Sequence, residues 1–337
     1  MTNGGTIGRR AVVAGLAAMG AGLGAAPATA KSAASLIDVH YHIAPPPWAD
    51  LLTARHIMQP AWNGWSVAKA VEDMDRDGVA MSMVSITTPG VYFGDAAAAR
   101  TLARQCNEFA AKMRDDHKGR FGIFAAMPMP DIDGTLAEIA YAFDQLKVDG
   151  IGFLTSYGDK WLGDPAFAPV TAELERRKAL AYTHPTAANC CRNLIPGIAP
   201  PIIEYGTDTT RAIGQLVFGG EAQRHPGIRW IFSHAGGTMP FLYHRFAGRA
   251  KEPGAAPGAM EELRRFYYDT AQASTAPPLA ALRQVVPISH ILFGTDYPYG
   301  TAGDTERELR QSRMFGAREL EAVGHANAKA LFGGTRT

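Results

Sequence analysis

Eight short apolar runs recur along the chain. They are Leu36–Ile43, Val79–Ile86, Phe121–Met127, Gly150–Thr155, Leu180–His184, Ile228–His234, Phe266–Thr270 and Ile291–Asp296. Segments with helical spacing lie between most of them, among them Val67–Asp77, Ala96–Asp116, Thr135–Leu146, Ala166–Arg177 and Thr209–Gln223. Near-continuous apolar strands alternating with amphipathic helices predict parallel strands buried on both faces, joined by crossover helices. Eight such units predict a closed (β/α)8 barrel of the TIM type, an α/β fold. An open doubly wound sheet is the competitor, but no G-x-G-x-x-G follows the first strand. Pro45-Pro46-Pro47 reads as a stiff turn after strand one, and Lys251–Ala259 as a Pro/Gly/Ala loop. Both are insertions, so residues 31–337 read as one domain.

Residues 1–30 break the pattern. Arg9-Arg10 precede an uncharged Ala/Gly/Val-rich stretch, Ala11–Ala30, which closes in Ala28-Thr29-Ala30 before Lys31. A charged start, a mildly apolar core and a small-residue exit are the parts of a signal peptide. The paired arginines and weakly hydrophobic core resemble a twin-arginine (Tat) signal. Gly, Ala and Pro27 argue against a membrane anchor. The expectation is a periplasmic or secreted protein, handed folded to the Tat export machinery.

Composition narrows the class further. With 47% hydrophobic and 19% charged residues among 337, the chain is neither disordered nor a coiled coil. Its 33 basic and 32 acidic residues leave a charge of +1, without the basic footprint of a nucleic-acid binder. Three cysteines cannot build a disulfide framework. Cys106 reads as a small buried residue, and Cys190-Cys191 as free thiols.

Candidate chemistry gathers at strand ends. In Ile37-Asp38-Val39-His40-Tyr41-His42, alternation puts His40 and His42 on one face, with Asp38 one layer deeper. Ile37, Val39 and Tyr41 then face the helices. Two imidazoles at this spacing can chelate one metal, or form a hydrogen-bonded core pair. His184, His234 and Asp296 each close a later apolar run, after successive gaps of 144, 50 and 62 residues. These gaps place the five residues on strands one, five, six and eight, at the face where barrel active sites sit. His117, His225, His290 and His325 fall outside strands and read as solvated. Trp48, Trp62, Trp65 and Trp161 fall in loops on the same face, either to cover a flat aromatic substrate or to pack the loops.

Further motifs join these residues: Asp208-Thr209-Thr210-Arg211-Ala212, Ser233-His234-Ala235-Gly236-Gly237, Phe293-Gly294-Thr295-Asp296 and Asn327-Ala328-Lys329-Ala330-Leu331-Phe332. Together they resemble the amidohydrolase superfamily, in the amidohydrolase-2 branch of aminocarboxymuconate-semialdehyde, γ-resorcylate and 6-methylsalicylate decarboxylases. The resemblance spans nearly all of Leu36–Gly333. It implies that His40, His42, His184 and Asp296 bind a divalent metal, Zn²⁺ or Mn²⁺. It makes His234 a neighbouring acid/base. Strand four lacks the lysine or glutamate that binuclear members use, which implies one ion.

The implied reaction is non-oxidative decarboxylation of a small aromatic or phenolic carboxylic acid. Either Asp296 delivers the proton, or His234 serves as base for an added water. Hydrolysis of a lactone, ester or amide by a metal-activated water is the alternative. A binding protein on a degenerate barrel ranks last, because no ligand is missing. Trp65-Ser66, Pro89-Gly90-Val91, Asn107-Glu108 and His184-Pro185-Thr186 are similar to the methylsalicylate group and favour decarboxylation. The loop Ile57–Trp62 lacks the arginine that aminocarboxymuconate enzymes use for a second carboxylate, Arg55 being nearest, so a monocarboxylic phenolic acid fits better. Arg245 matches an arginine donated across a dimer interface, which implies a homodimer, or it serves as a surface ion-pair partner. Trp65 and Arg245 are thus candidate substrate contacts. Asp269 reads as a hydrogen-bond partner of a ligand or of the substrate.

Overall fold

The computed structural model describes Ser35–Gly333. The expected signal peptide lies outside the described residues. Eight parallel strands follow one another in chain order around a single sheet. They are β1 Leu36–His42, β2 Val79–Ser85, β3 Phe121–Ala126, β4 Gly150–Leu154, β5 Leu180–His184, β6 Arg229–Phe232, β7 Tyr267–Asp269 and β8 Ile291–Leu292. Each predicted run contains one of them. Backbone bonds of 2.9 Å close the ring between β8 and β1. Val39 N–H donates to Phe293 O, Asp296 N–H to His40 O, and His42 N–H to Tyr297 O.

Alternation along the strands makes two layers of core. Val84, Ile123, Ala181, Phe232 and Phe293 face outward to the helices. Met83, Phe124, Leu180, Tyr182, Ile231 and Leu292 face inward. Ala328, Leu331 and Phe332, on the terminal helix Asn327–Gly333, pack against the inner layer. Arg229, the first residue of β6, donates to Leu331 O at 3.1 Å, which fixes this plug at the end where strands begin.

Strict alternation fails in β1. Ile37 and Val39 belong to the inner layer, not to the helix-facing one. The cause is a register shift against β2: Asp38 pairs with Ser82 but Tyr41 with Val84, so the ladder gains a residue.

Helices Val67–Asp77 and Ala96–Asp116 occupy their predicted spans. Ser66 and Asp95 cap them by accepting from the Lys69 and Ala98 N–H groups, and Gly78 ends the first in the left-handed region at φ 76°. Two helices depart from expectation. Pro46–Ala54 is a helix where a turn was expected, and Pro200–Phe218 starts well before Thr209. Both open on prolines, whose missing N–H costs nothing in a first turn.

Candidate metal centre

The ends of β1, β5 and the segment after β8 bring four buried side chains to one point. One donor atom from each of His40, His42, His184 and Asp296 lies within 4.8 Å of the others. His40 Nε2 is 3.0 Å from His42 Nε2, and Asp296 Oδ1 is 3.1 Å from each. His184 Nε2 lies 3.8 Å from the same oxygen. This is the one cluster of at least three His, Cys, Asp or Glu donors among the described residues.

The second nitrogen of each ring is held away from that point. His184 Nδ1 sits 2.9 Å from the Pro185 carbonyl, which can only accept, so the proton is on Nδ1 and Nε2 offers its lone pair. His40 Nδ1 meets Asp269 Oδ2 at 2.8 Å, and His42 Nδ1 meets Ser85 Oγ at 3.0 Å. Three imidazole nitrogens and a carboxylate oxygen facing one point, with the opposite nitrogens tethered, fit a single divalent ion.

Without an ion, electrostatics separate the three rings. Burial pushes His42 down to about 4 and His184 down to about 3, so both stay neutral. Burial would lower His40 too, but Asp269 and Asp296 outweigh it and push it up to about 10. For Asp296, burial favours the neutral acid; the charge of His40 and the histidines around the carboxylate, His234 at 3.4 Å among them, prevail and hold it well below the usual range.

The motifs have local reasons. Gly294 lets His40 and Asp269 meet, since a Cβ there would lie 2.9 Å from the Cβ of each. Thr295 donates through its N–H and its hydroxyl to Asp38, at 3.1 and 2.6 Å. Asp38 is fully buried, and burial raises it to about 7 against those bonds. Asp296 then turns inward at φ 63°. His234 and Ala235 are also left-handed, at φ 53° and 55°, a costly backbone held by the Asp269 carboxylate accepting from His234 N–H at 2.8 Å. Gly237, at φ 65°, follows because a Cβ would come within 2.1 Å of Gly206 O.

The remaining expected residues divide. His234 stands beside the donors, its Nε2 3.4 Å from Asp296 Oδ2, and lines a cavity of about 470 Å³ with His184 and Asp296. Asp269 braces both His40 and His234. Trp65 does not reach this cavity; it packs near Trp62 and Phe109, ring centres 6.3 and 6.4 Å away. Trp48, Trp62 and Trp161 do not line it either; their N–H groups donate to Gly90 O, the Tyr299 hydroxyl and Asp208. The tryptophans therefore pack loops. Arg245 is exposed on helix Tyr243–Arg249 and does not line the cavity. His225, expected in solvent, pairs with Glu221 at 3.2 Å. Cys106, Cys190 and Cys191 are free thiols, and burial pushes Cys106 up to about 12.

Sequence reasoning missed Ser85, Thr87, Thr88 and Tyr205. Thr87 and Thr88 hydroxyls lie 3.4 and 3.3 Å from His184 Nε2 and Nδ1, and the Tyr205 ring stands edge-on to it at 6.0 Å. Pro200-Pro201 was the signal for the helix that carries Tyr205.

A parallel barrel with three histidines and an aspartate at the mouth defines a metal-dependent barrel enzyme. The chain belongs to the amidohydrolase family, whose model matches residues 37–334. It is 36% identical over 279 residues to the 6-methylsalicylic acid decarboxylase of Aspergillus aculeatus, covering 78% of this chain and 84% of that protein. It is 37% identical over 276 residues to the 6-methylsalicylic acid decarboxylase of Penicillium expansum, with the same coverage. The fold is similar to the crystal structure of 5-carboxyvanillate decarboxylase from Sphingomonas paucimobilis, at TM-score 0.79 and 24% identity, over 89% of this chain and 99% of that one.

Proposed function

We infer that this protein is a metal-dependent carboxy-lyase acting on a small phenolic or aromatic carboxylic acid, in the manner of 6-methylsalicylate decarboxylases. The carrying observation is the complete donor set, His40, His42, His184 and Asp296, beside a cavity in a chain whose relatives are decarboxylases. Those relatives set the lyase above the hydrolase reading. A bound Zn²⁺ or Mn²⁺ would supply positive charge for the substrate carboxylate and hold it in place.

The protein's own groups then manage the proton. Loss of CO2 leaves an electron pair on the ring carbon, and one proton must reach that carbon. Asp296 and His234 are the candidates to deliver it, and their 3.4 Å separation lets a proton pass between them. The test is metal analysis of the purified protein, followed by CO2 release from a panel of hydroxybenzoates, 6-methylsalicylate included. A metal-free protein, or one that hydrolyses lactones and releases no CO2, refutes the reading.

Residues 1–30 are proposed as a Tat signal, preceding a domain of residues 31–337 in a periplasmic or secreted protein. A homodimer is supported by the apolar side chains Leu194, Ile195, Ile202 and Phe241, exposed at 61, 54, 73 and 85%. In such a dimer Arg245 would contact the partner's substrate. Sedimentation of the purified protein decides the oligomeric state. Nucleic acid is not an expected partner.

A further inference from the structure

A second cavity, of about 560 Å³, borders the one at the metal centre. The two cavities share Thr88 and Tyr205 as lining residues. Thr88 Oγ1 is 3.3 Å from His184 Nδ1, so the second cavity begins one side chain away from a metal donor.

Its emptiness has a cause in the sequence. Ala126 ends β3 and Gly152 sits within β4, and both line the space. A Cβ on Gly152 would meet nothing closer than Phe124 O at 3.5 Å, so the position is open rather than crowded. Phe124, stacked on Tyr182 at 4.9 Å, joins the lining with Val91, Met127 and Leu154. Arg192 is the one charged residue among those lining it. The wall is mixed: Ser156, Thr186, Asn189 and Asn193 add polar groups, while Val91, Phe124, Met127 and Leu154 offer apolar surface that suits an apolar group. The cavity is many times the ~30 Å³ that one water occupies, and so more room than a methyl needs.

We propose that this cavity receives an apolar ring substituent of several carbons, so that the substrate is an aromatic acid carrying an alkyl chain or second ring larger than methyl. The proposal rests on the carboxy-lyase reading of the metal centre. In it, the carboxylate stays at the donors and the substituent enters where Thr88 and Tyr205 line both cavities, which requires their side-chain hydrogen bond to open. Gly152 and Ala126 then set the length accepted.

The test is a series of 6-alkylsalicylates bearing methyl, propyl and pentyl chains. Two quantities are measured on the metal-loaded protein: kcat/KM from CO2 release, and Kd by calorimetry, which needs no turnover. A methylene moved from water to an apolar site is worth roughly fourfold. Pentyl should therefore exceed methyl by about tenfold or more in both quantities. A pentyl-to-methyl ratio at or below one overturns the proposal.

Gly152→Leu should bring that ratio back to about one, and Gly152→Ala should lower it much less. Ala126→Leu serves as the second filling variant should Gly152→Leu fail to fold. A ratio left unchanged in a folded filling variant also overturns it. The two readings separate cleanly. Tighter pentyl binding without any CO2 release supports the cavity and refutes the lyase; CO2 release from the methyl acid with no gain in Kd refutes the cavity alone.

Discussion

His234 and His184 lie side by side, ring centres 5.8 Å apart, in surroundings that differ, and the proposed roles differ with them. His184 is buried with a tethered ring and a lone pair on the common point. His234 is partly open to the cavity and bonds the far oxygen of Asp296. His234→Ala should retain most of the metal and lose turnover by about 10² or more. His184→Ala should lose both. Metal content per chain, read beside CO2 release, separates the two; equal loss of metal in both variants would make His234 a ligand. Gly294→Ala tests the closeness of His40 and Asp269. Its Cβ would overlap both side chains, so metal content should fall and stability drop by about 1–3 kcal/mol in urea unfolding. His40, His42, His184 and Asp296 were legible because an ionisable residue closing an apolar strand is costly unless it has a task. Ser85, Thr87 and Thr88 were not, since small hydroxyl residues close strands everywhere.

Among the elements, helix Pro200–Phe218 does the most to shape the mouth of the barrel. It brings Tyr205 to the cavity and seats Gly206 against Gly237, where Thr238 N–H donates to Gly206 O at 3.2 Å. One turn on, the buried Asp208 accepts from the hydroxyls of Thr155 and Ser156 and from Trp161 N–H. The carboxylate thus ties the helix to the end of β4 and to the short hairpin of Ser156–Tyr157 and Lys160–Trp161. Asp208→Ala would strand three buried donors, and should cost about 2 kcal/mol or more in urea unfolding, with a loss of order in the loop after β4 seen by hydrogen exchange. A loss below about 0.5 kcal/mol would show that water replaces the carboxylate. The late start predicted for this helix came from reading apolar spacing alone. Pro200-Pro201 stops that spacing but begins a helix. The tryptophans were ambiguous for a related reason: their number and place could be read, but whether each indole N–H faces ligand or loop depends on partners distant in sequence, such as Tyr299 for Trp62.

For the whole molecule, the proposed signal segment would set the compartment. A fusion of residues 1–35 to a folded reporter should reach the periplasm of a Tat-competent bacterium. Replacing Arg9 and Arg10 with lysine should abolish this, as cell fractionation would show. Export that survives the double replacement would point to another route. The barrel itself was fully legible as eight strands in order. Its bulge in β1 was not, because one extra residue leaves the apolar count of the run unchanged while reversing which side chains face inward.

The closure between β1 and β8 has a consequence for the order of events in the cell. Its two borders carry His40 and His42 on one side and Asp296 on the other, and the bonds that close the ring run through the backbones of those same three residues. Two donors leave the ribosome early and His184 past midway; the fourth comes with most of the chain made. Until then β1 has an open edge, and the histidines face an incomplete pocket. The full four-donor set therefore exists only once the last strand has joined the first, so a chain cut short before Asp296 lacks its carboxylate donor.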